Sequence, residues 1–168
     1  MKGTRRLALI AALSAVALTI FVAESQIPPL TMVPGMKLGL ANIVTLVAMV
    51  ILNRRDAGVI LAIRLVLGSI FGGGISAFMF SAAGGLLAYL TMCALVGVFP
   101  ERLLWVVSVL AALAHNAGQL IVAVCVSGTA SILIYGLILA ASGIVTGVFT
   151  GLASMFLIRA VRRAGRGA

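Results

Sequence analysis

Apolar residues fill this chain in long blocks, and the polar residues collect in the gaps between them. Six blocks stand out, at about 7–23, 37–52, 57–71, 75–96, 103–126 and 131–158. Crossing the hydrocarbon core of a bilayer takes roughly 20 mainly apolar residues in a helix, so the pattern predicts six transmembrane helices. Most gaps are short: Asn53-Arg54-Arg55-Asp56, Gly72-Gly73-Gly74, Phe99-Pro100-Glu101-Arg102 and the small residues at 127–130. The longest, 24–42, holds Pro28, Pro29 and Pro34. Prolines remove backbone donors and clash with the preceding turn, so no helix continues through it.

The expected fold is therefore all-α, a polytopic membrane bundle of six helices forming one domain over 1–168. Composition agrees. The chain is 63% hydrophobic and 9% charged, with mean hydropathy +1.29, whereas soluble domains carry about 25% charge. The basic start, Lys2, Arg5 and Arg6 ahead of the block at 7–23, has the outline of a signal peptide. The apolar stretch is long for one, and Phe21-Val22-Ala23 offers no small-x-small cleavage site, so a retained first helix is expected.

Charge placement sets the orientation. Short cytoplasmic loops concentrate Lys and Arg. With the N-terminus inside, the inner segments hold Lys2, Arg5, Arg6, Arg54, Arg55, Arg102, Arg159, Arg162, Arg163 and Arg166, ten of the twelve cations. Both termini are then cytoplasmic, and the long gap faces out. The net charge of +9 and pI near 11.4 do not point to nucleic acid, because the cations sit at helix ends rather than on one face with interleaved aromatics. The lipid bilayer is the expected partner, with anionic head groups against the basic tail. Cys93 and Cys125 lack metal or disulfide spacing and read as packing residues.

Small residues recur at helical spacing. Gly143, Gly147 and Gly151 repeat every fourth residue, and Ala8, Ala11, Ala12 and Ala15 line one face of the first helix. Such ridges let helix backbones approach in a membrane. The glycines read as packing within the bundle, and the alanines as a surface on which a separate membrane subunit could dock.

Candidate chemistry lies in the few polar groups within apolar blocks, which are costly there and mark interior sites. Arg64 sits mid-block, and Glu24 is the only acid of the outer half; the guanidinium fork suits a carboxylate or phosphate. Lys37 stands at the expected start of helix 2, where a cation opposes the helix dipole. His115 and Gln119 share a face of helix 5 that Ser108 continues, with Asn116 adjacent, while Asn42 and Thr45 on helix 2 and Ser81 on helix 4 are weaker candidates. Together Lys37, Asn42, Arg64, His115, Asn116 and Gln119 are the candidate ligand contacts. Pro28, Pro29, Pro34 and Gly35 belong to a candidate lid.

Absences narrow the classes. No GxxxxGK[ST] occurs, so nucleotide hydrolysis by the P-loop route is excluded. Asp56 is the only aspartate, so no aspartate cluster exists to hold Mg²⁺ for diphosphate chemistry. No metal site, no cofactor and no catalytic apparatus of the chain's own are expected.

Val33-Pro34-Gly35-Met36-Lys37-Leu38-Gly39-Leu40-Ala41-Asn42, Arg64-Leu65-Val66-Leu67-Gly68-Ser69, Phe80-Ser81-Ala82-Ala83-Gly84-Gly85 and Ala114-His115-Asn116-Ala117-Gly118-Gln119 together resemble the Gx transporter family, also labelled heptaprenyl diphosphate synthase component I. That family in turn looks similar to the substrate-binding S-components of energy-coupling-factor transporters. The resemblance implies six helices, a ligand pocket near the outer face roofed by the loop after helix 1, and a helix 1 surface that docks a coupling subunit with its ATPases. Its other label implies an accessory role beside a soluble prenyl synthase. The expected function is capture of a small anionic or amphipathic nutrient or cofactor precursor, in the cytoplasmic membrane of a prokaryote. The alternative is an accessory membrane component of heptaprenyl diphosphate synthesis.

Overall fold

The computed structural model describes residues 3–27, 37–72 and 74–164. These form six helices: α1 (Gly3–Ser25), α2 (Asn42–Ile51), α3 (Arg54–Gly72), α4 (Gly74–Leu95), α5 (Leu104–Ser127) and α6 (Gly136–Ala164). Short 3-10 turns precede α5 (Glu101–Leu103) and α6 (Ala130–Tyr135). Among the described residues there is no strand, and the protein is all-helical.

Four helical stretches are long and apolar enough to cross a membrane: Gly3–Ser25, Gly74–Leu95, Glu101–Ser127 and Ala130–Ala164. The other two differ from expectation in instructive ways. α2 begins at Asn42, later than the apolar block at 37–52 predicted, because Gly39 takes φ +79° and turns the chain, with Asn42 N–H donating to Gly39 O at 3.0 Å. Only glycine adopts that left-handed conformation without strain. At 10 residues, α2 is about 15 Å long, half the core of a bilayer.

α3 starts early instead and takes in Arg54, Arg55 and Asp56, which the sequence pattern assigned to a turn. Asn53 caps it: its Oδ1 accepts the Asp56 N–H at 2.8 Å, and Asp56 in the first turn suits the helix dipole. α6 proper begins only at Gly136, after the 3-10 turn.

The bundle is inverted relative to a soluble protein. Large apolar side chains point outward, Ile75 and Leu137 each 81% exposed, while Arg64, Gln119, His115, Asn116 and Ser154 are buried. That is the arrangement a hydrocarbon solvent favours. Cys93 is half-buried, and Cys125 faces outward from α5 rather than packing inside.

Two apolar clusters bracket a polar layer. The larger gathers Val44, Leu46, Val47, Ala57, Ile60, Met92, Val107 and Ile158 near the arginine-rich end, and the smaller joins Phe80, Ala123 and Leu139 at the other. At the arginine-rich end, Arg6 grips Asp56 with two hydrogen bonds, tying α1 to α3, and Arg162 does the same to Glu101 across α6 and the turn before α5. The Arg162–Glu101 pair is exposed and orients the helix ends more than it stabilises them, whereas Asp56 is buried beneath a half-exposed Arg6.

α5 is the central helix, packed extensively on both α4 and α6. The α6 glycines make the second contact possible: a Cβ on Gly147 would lie 2.5 Å from Val109 Cα, and one on Gly151 2.5 Å from Trp105 Cα. The ridge at 143–151 thus packs within the bundle. The alanine ridge does the reverse, since Ala8, Ala11, Ala12 and Ala15 are all exposed on α1.

Gly147→Ala is expected to destabilise the protein by about 1–3 kcal/mol through overpacking against a backbone that cannot yield. Thermal unfolding in detergent measures this. Gly3→Ala, which meets nothing within 4 Å, should leave the transition unchanged.

Candidate functional site

The polar layer converges where the end of α1, the segment before α2, and the middles of α3, α4 and α5 meet. Phe21, Glu24, Lys37, Gly39, Arg64, Ser81 and His115 enclose a cavity of about 10 Å³. That is room for one water-sized body.

Each wall has a local cause. Phe21 and Glu24 lie one turn apart on α1 and share its inward face, both buried. Glu24 bends the next segment to itself: its Oε1 accepts the Gly39 N–H at 2.5 Å. Lys37 and Gly39 are therefore brought back over α1 by the same turn that delays α2. Arg64, halfway along α3, is 2% exposed.

The Lys37 backbone is clamped from the other side. Its N–H donates to Gln119 Oε1 at 3.2 Å, and its carbonyl accepts from Gln119 Nε2 at 3.1 Å. A single side-chain amide thus imitates the pairing of a neighbouring strand. Gln119 Nε2 also lies 2.8 Å from His115 Nε2. Because the Lys37 carbonyl identifies Gln119 Nε2 as the donor nitrogen, His115 Nε2 must accept, which leaves a neutral ring with its proton on Nδ1, 3.4 Å from the Asn42 amide.

The charges are under-compensated. Arg64 Nε and Nη2, Lys37 Nζ and Ser81 Oγ are buried and find no hydrogen-bond partner among the described residues. All four belong to residues lining the same cavity. Glu24 makes no ion pair with either cation among the described residues. Lys37 Nζ instead sits 3.3 Å over the Phe21 ring, and Arg64 Cζ lies 5.9 Å from the same centroid, a cation–π arrangement that spares part of the lost hydration.

Several orphaned buried donors around one small space can accept an anionic atom, since each unpaired donor otherwise bears the full cost of desolvation. Of the residues singled out from the sequence, Lys37, Arg64, His115, Glu24 and the weaker candidate Ser81 line this cavity. Gln119 stands one hydrogen bond behind it, and the Asn42 amide nitrogen lies 3.4 Å from His115 Nδ1. Asn116 points elsewhere: its Nδ2 donates to Leu139 O at 2.6 Å, tying α5 to α6. Ser108, expected to extend the same polar stripe, pairs with Thr150 of α6 at 2.8 Å. Pro28, Pro29, Pro34 and Gly35 lie outside the described residues.

Phe21 was not legible as a cavity wall in the sequence. Phe21 is one apolar residue among many on α1, and only its place one turn before the lone outer acid, Glu24, could have marked it. No group of three or more His, Cys, Asp or Glu side chains suited to a metal occurs among the described residues.

Gln119→Leu removes both hydrogen bonds to the Lys37 backbone and is expected to leave that amide and carbonyl unpaired, at about 1–3 kcal/mol. Hydrogen exchange should then rise selectively at 37–42. Unchanged protection there would show that the clamp holds nothing.

Known proteins supply one further finding. No curated protein and no solved structure matches the chain. The family model described as heptaprenyl diphosphate synthase component I matches residues 13–157, a span that runs from within α1 to within α6 and includes every wall of the cavity. The chain belongs to the heptaprenyl diphosphate synthase component I family.

Proposed function

We propose that this protein is a membrane-embedded binding subunit for a small molecule carrying an anionic group. The observation that carries the reading is the convergence of four unpartnered buried donor atoms, from Arg64, Lys37 and Ser81, on one cavity. Arg64 and Lys37 neutralise the ligand's charge, Ser81 donates to it, and His115 shapes the wall. Gln119, with Asn42 behind His115, positions the Lys37 segment. The loop from Ser25 to Met36 acts as the lid.

In this reading the ligand is a small anionic or amphipathic nutrient or cofactor precursor, taken up from outside across the cytoplasmic membrane of a prokaryote. The chain crosses that membrane six times with both ends inside, which the concentration of arginines at one end supports. No nucleotide-hydrolysing motif is present in the sequence, so energy comes from a separate ATPase module. The exposed ridge of Ala8, Ala11, Ala12 and Ala15 is where its coupling subunit docks.

The family favours a second reading. Its description names a component of heptaprenyl diphosphate synthase, which supports an accessory membrane role beside a soluble prenyl synthase. With Asp56 the only aspartate, and that one held by Arg6 at the arginine-rich end, the elongation chemistry would reside in the partner.

Native mass spectrometry of gently extracted protein tests the binding reading. A co-purifying small anion lost in Arg64→Ala is the expected result; its absence, with wild type and variant alike in every binding assay, would refute the site. Prenyl-diphosphate synthesis by a soluble synthase, measured with and without this chain, separates the two roles. Clear dependence on the chain establishes the accessory role and displaces uptake.

A further inference from the structure

We infer that the cavity selects a compact monovalent anion, a halide or a single carboxylate group, and discriminates against sulfate, phosphate dianions and diphosphates. The inference rests on the anion-binding reading above and adds to it the charge and size of the group bound.

Charge comes first. The ionisable walls are Arg64, Lys37 and Glu24, with His115 held neutral by the amide of Gln119. Two cations against one carboxylate leave a single positive charge uncompensated. The connecting stretch 28–36 cannot alter this balance, because Pro28-Pro29-Leu30-Thr31-Met32-Val33-Pro34-Gly35-Met36 contains no ionisable side chain. The remaining acids are also committed, Asp56 to Arg6 and Glu101 to Arg162, at the arginine-rich end.

In a low-dielectric interior an uncompensated charge is expensive, and the occupant that best relieves it is the one that brings the site to neutrality. A monovalent anion does so. A dianion would leave a net negative charge beside Glu24, and a diphosphate a larger one.

Size agrees. A cavity of about 10 Å³ takes one acceptor atom, a halide or one oxygen of a carboxylate. The donor set matches such an acceptor, with Arg64 Nε and Nη2, Lys37 Nζ and Ser81 Oγ available around it. Glu24 is then the residue that sets selectivity. It cannot bind an anion itself, and its oxygen is engaged by the Gly39 N–H, yet its charge decides how many negative charges the two cations can still accept.

The test uses full-length protein in detergent micelles or nanodiscs, with sodium chloride, acetate, sulfate and pyrophosphate added at matched sodium concentration, read by melting temperature and isothermal calorimetry. Wild type should be stabilised saturably by chloride or acetate and at least ten-fold more weakly by sulfate and pyrophosphate. Which of the two monovalent ions binds separates a halide from a carboxylate site. Arg64→Gln should abolish the effect, with Lys37→Gln as the second variant should Arg64→Gln fail to fold.

Glu24→Gln keeps an oxygen for Gly39 while removing the negative charge. It should shift the ratio of sulfate to chloride affinity by at least ten-fold toward sulfate. Sulfate or pyrophosphate binding wild type as tightly as the monovalent ions, or an unchanged ratio in Glu24→Gln, overturns the selectivity while leaving an anion site in place. No response to any of the four anions overturns the anion-binding reading itself.

Discussion

A guanidinium that is charged at any physiological pH and 2% exposed is the constraint on which the half of this protein away from the arginine-rich end depends. Arg64 cannot neutralise itself by losing its proton, so the surroundings must compensate for it. They do so incompletely. The nearest carboxylate, Glu24, gives an oxygen to the Gly39 amide rather than to Arg64, and a second cation, Lys37, lies over the ring of Phe21. A soluble protein could let water complete such a site. Here the flanking layers are apolar clusters on both sides, and the cavity between them is the size of one water molecule.

The frame that makes this tolerable lies in α5 and its neighbours. α6 packs against α5 by backbone contact at Gly147 and Gly151, and Asn116 and Ser108 add hydrogen bonds to α6 along the same seam. Further along the same helix, His115 and Gln119 turn toward the cavity and the Lys37 segment. One helix thus divides its polar residues between holding the bundle together and shaping the site. Gly39 has a comparable double use, since its left-handed turn ends the incoming segment and presents its amide to Glu24.

Membership of the heptaprenyl diphosphate synthase component I family and the chemistry of these side chains bear on different questions. The family description concerns assembly with a prenyl synthase. The side chains concern what can be held: the site is built from donors and cations, while the single aspartate of the sequence is paired at the far end. An accessory role in which a partner supplies the acids and metal is compatible with both. So is capture of an anion for uptake.

From the sequence alone, the helical class and the positions of most helices emerged directly, because block length and hydropathy are local quantities. The same holds for the arginine-rich end and for Arg64, Lys37 and His115 as residues out of place in their surroundings. What the pattern could not decide was direction. Asn116 and Gln119 are three residues apart with similar chemistry, yet one ties α6 and the other clamps Lys37, a distinction set by which neighbour each rotamer meets. Hydropathy also missed the late start of α2, since the apolar block runs unbroken from 38 into α2 and only the turn at Gly39, closed by Glu24 from another helix, interrupts it. Glu24 itself read as the one outer acid able to pair with Arg64, and no such ion pair forms among the described residues. The tertiary structure made it a wall of the cavity, because only the packing of α1 on α3 brings it beside Arg64.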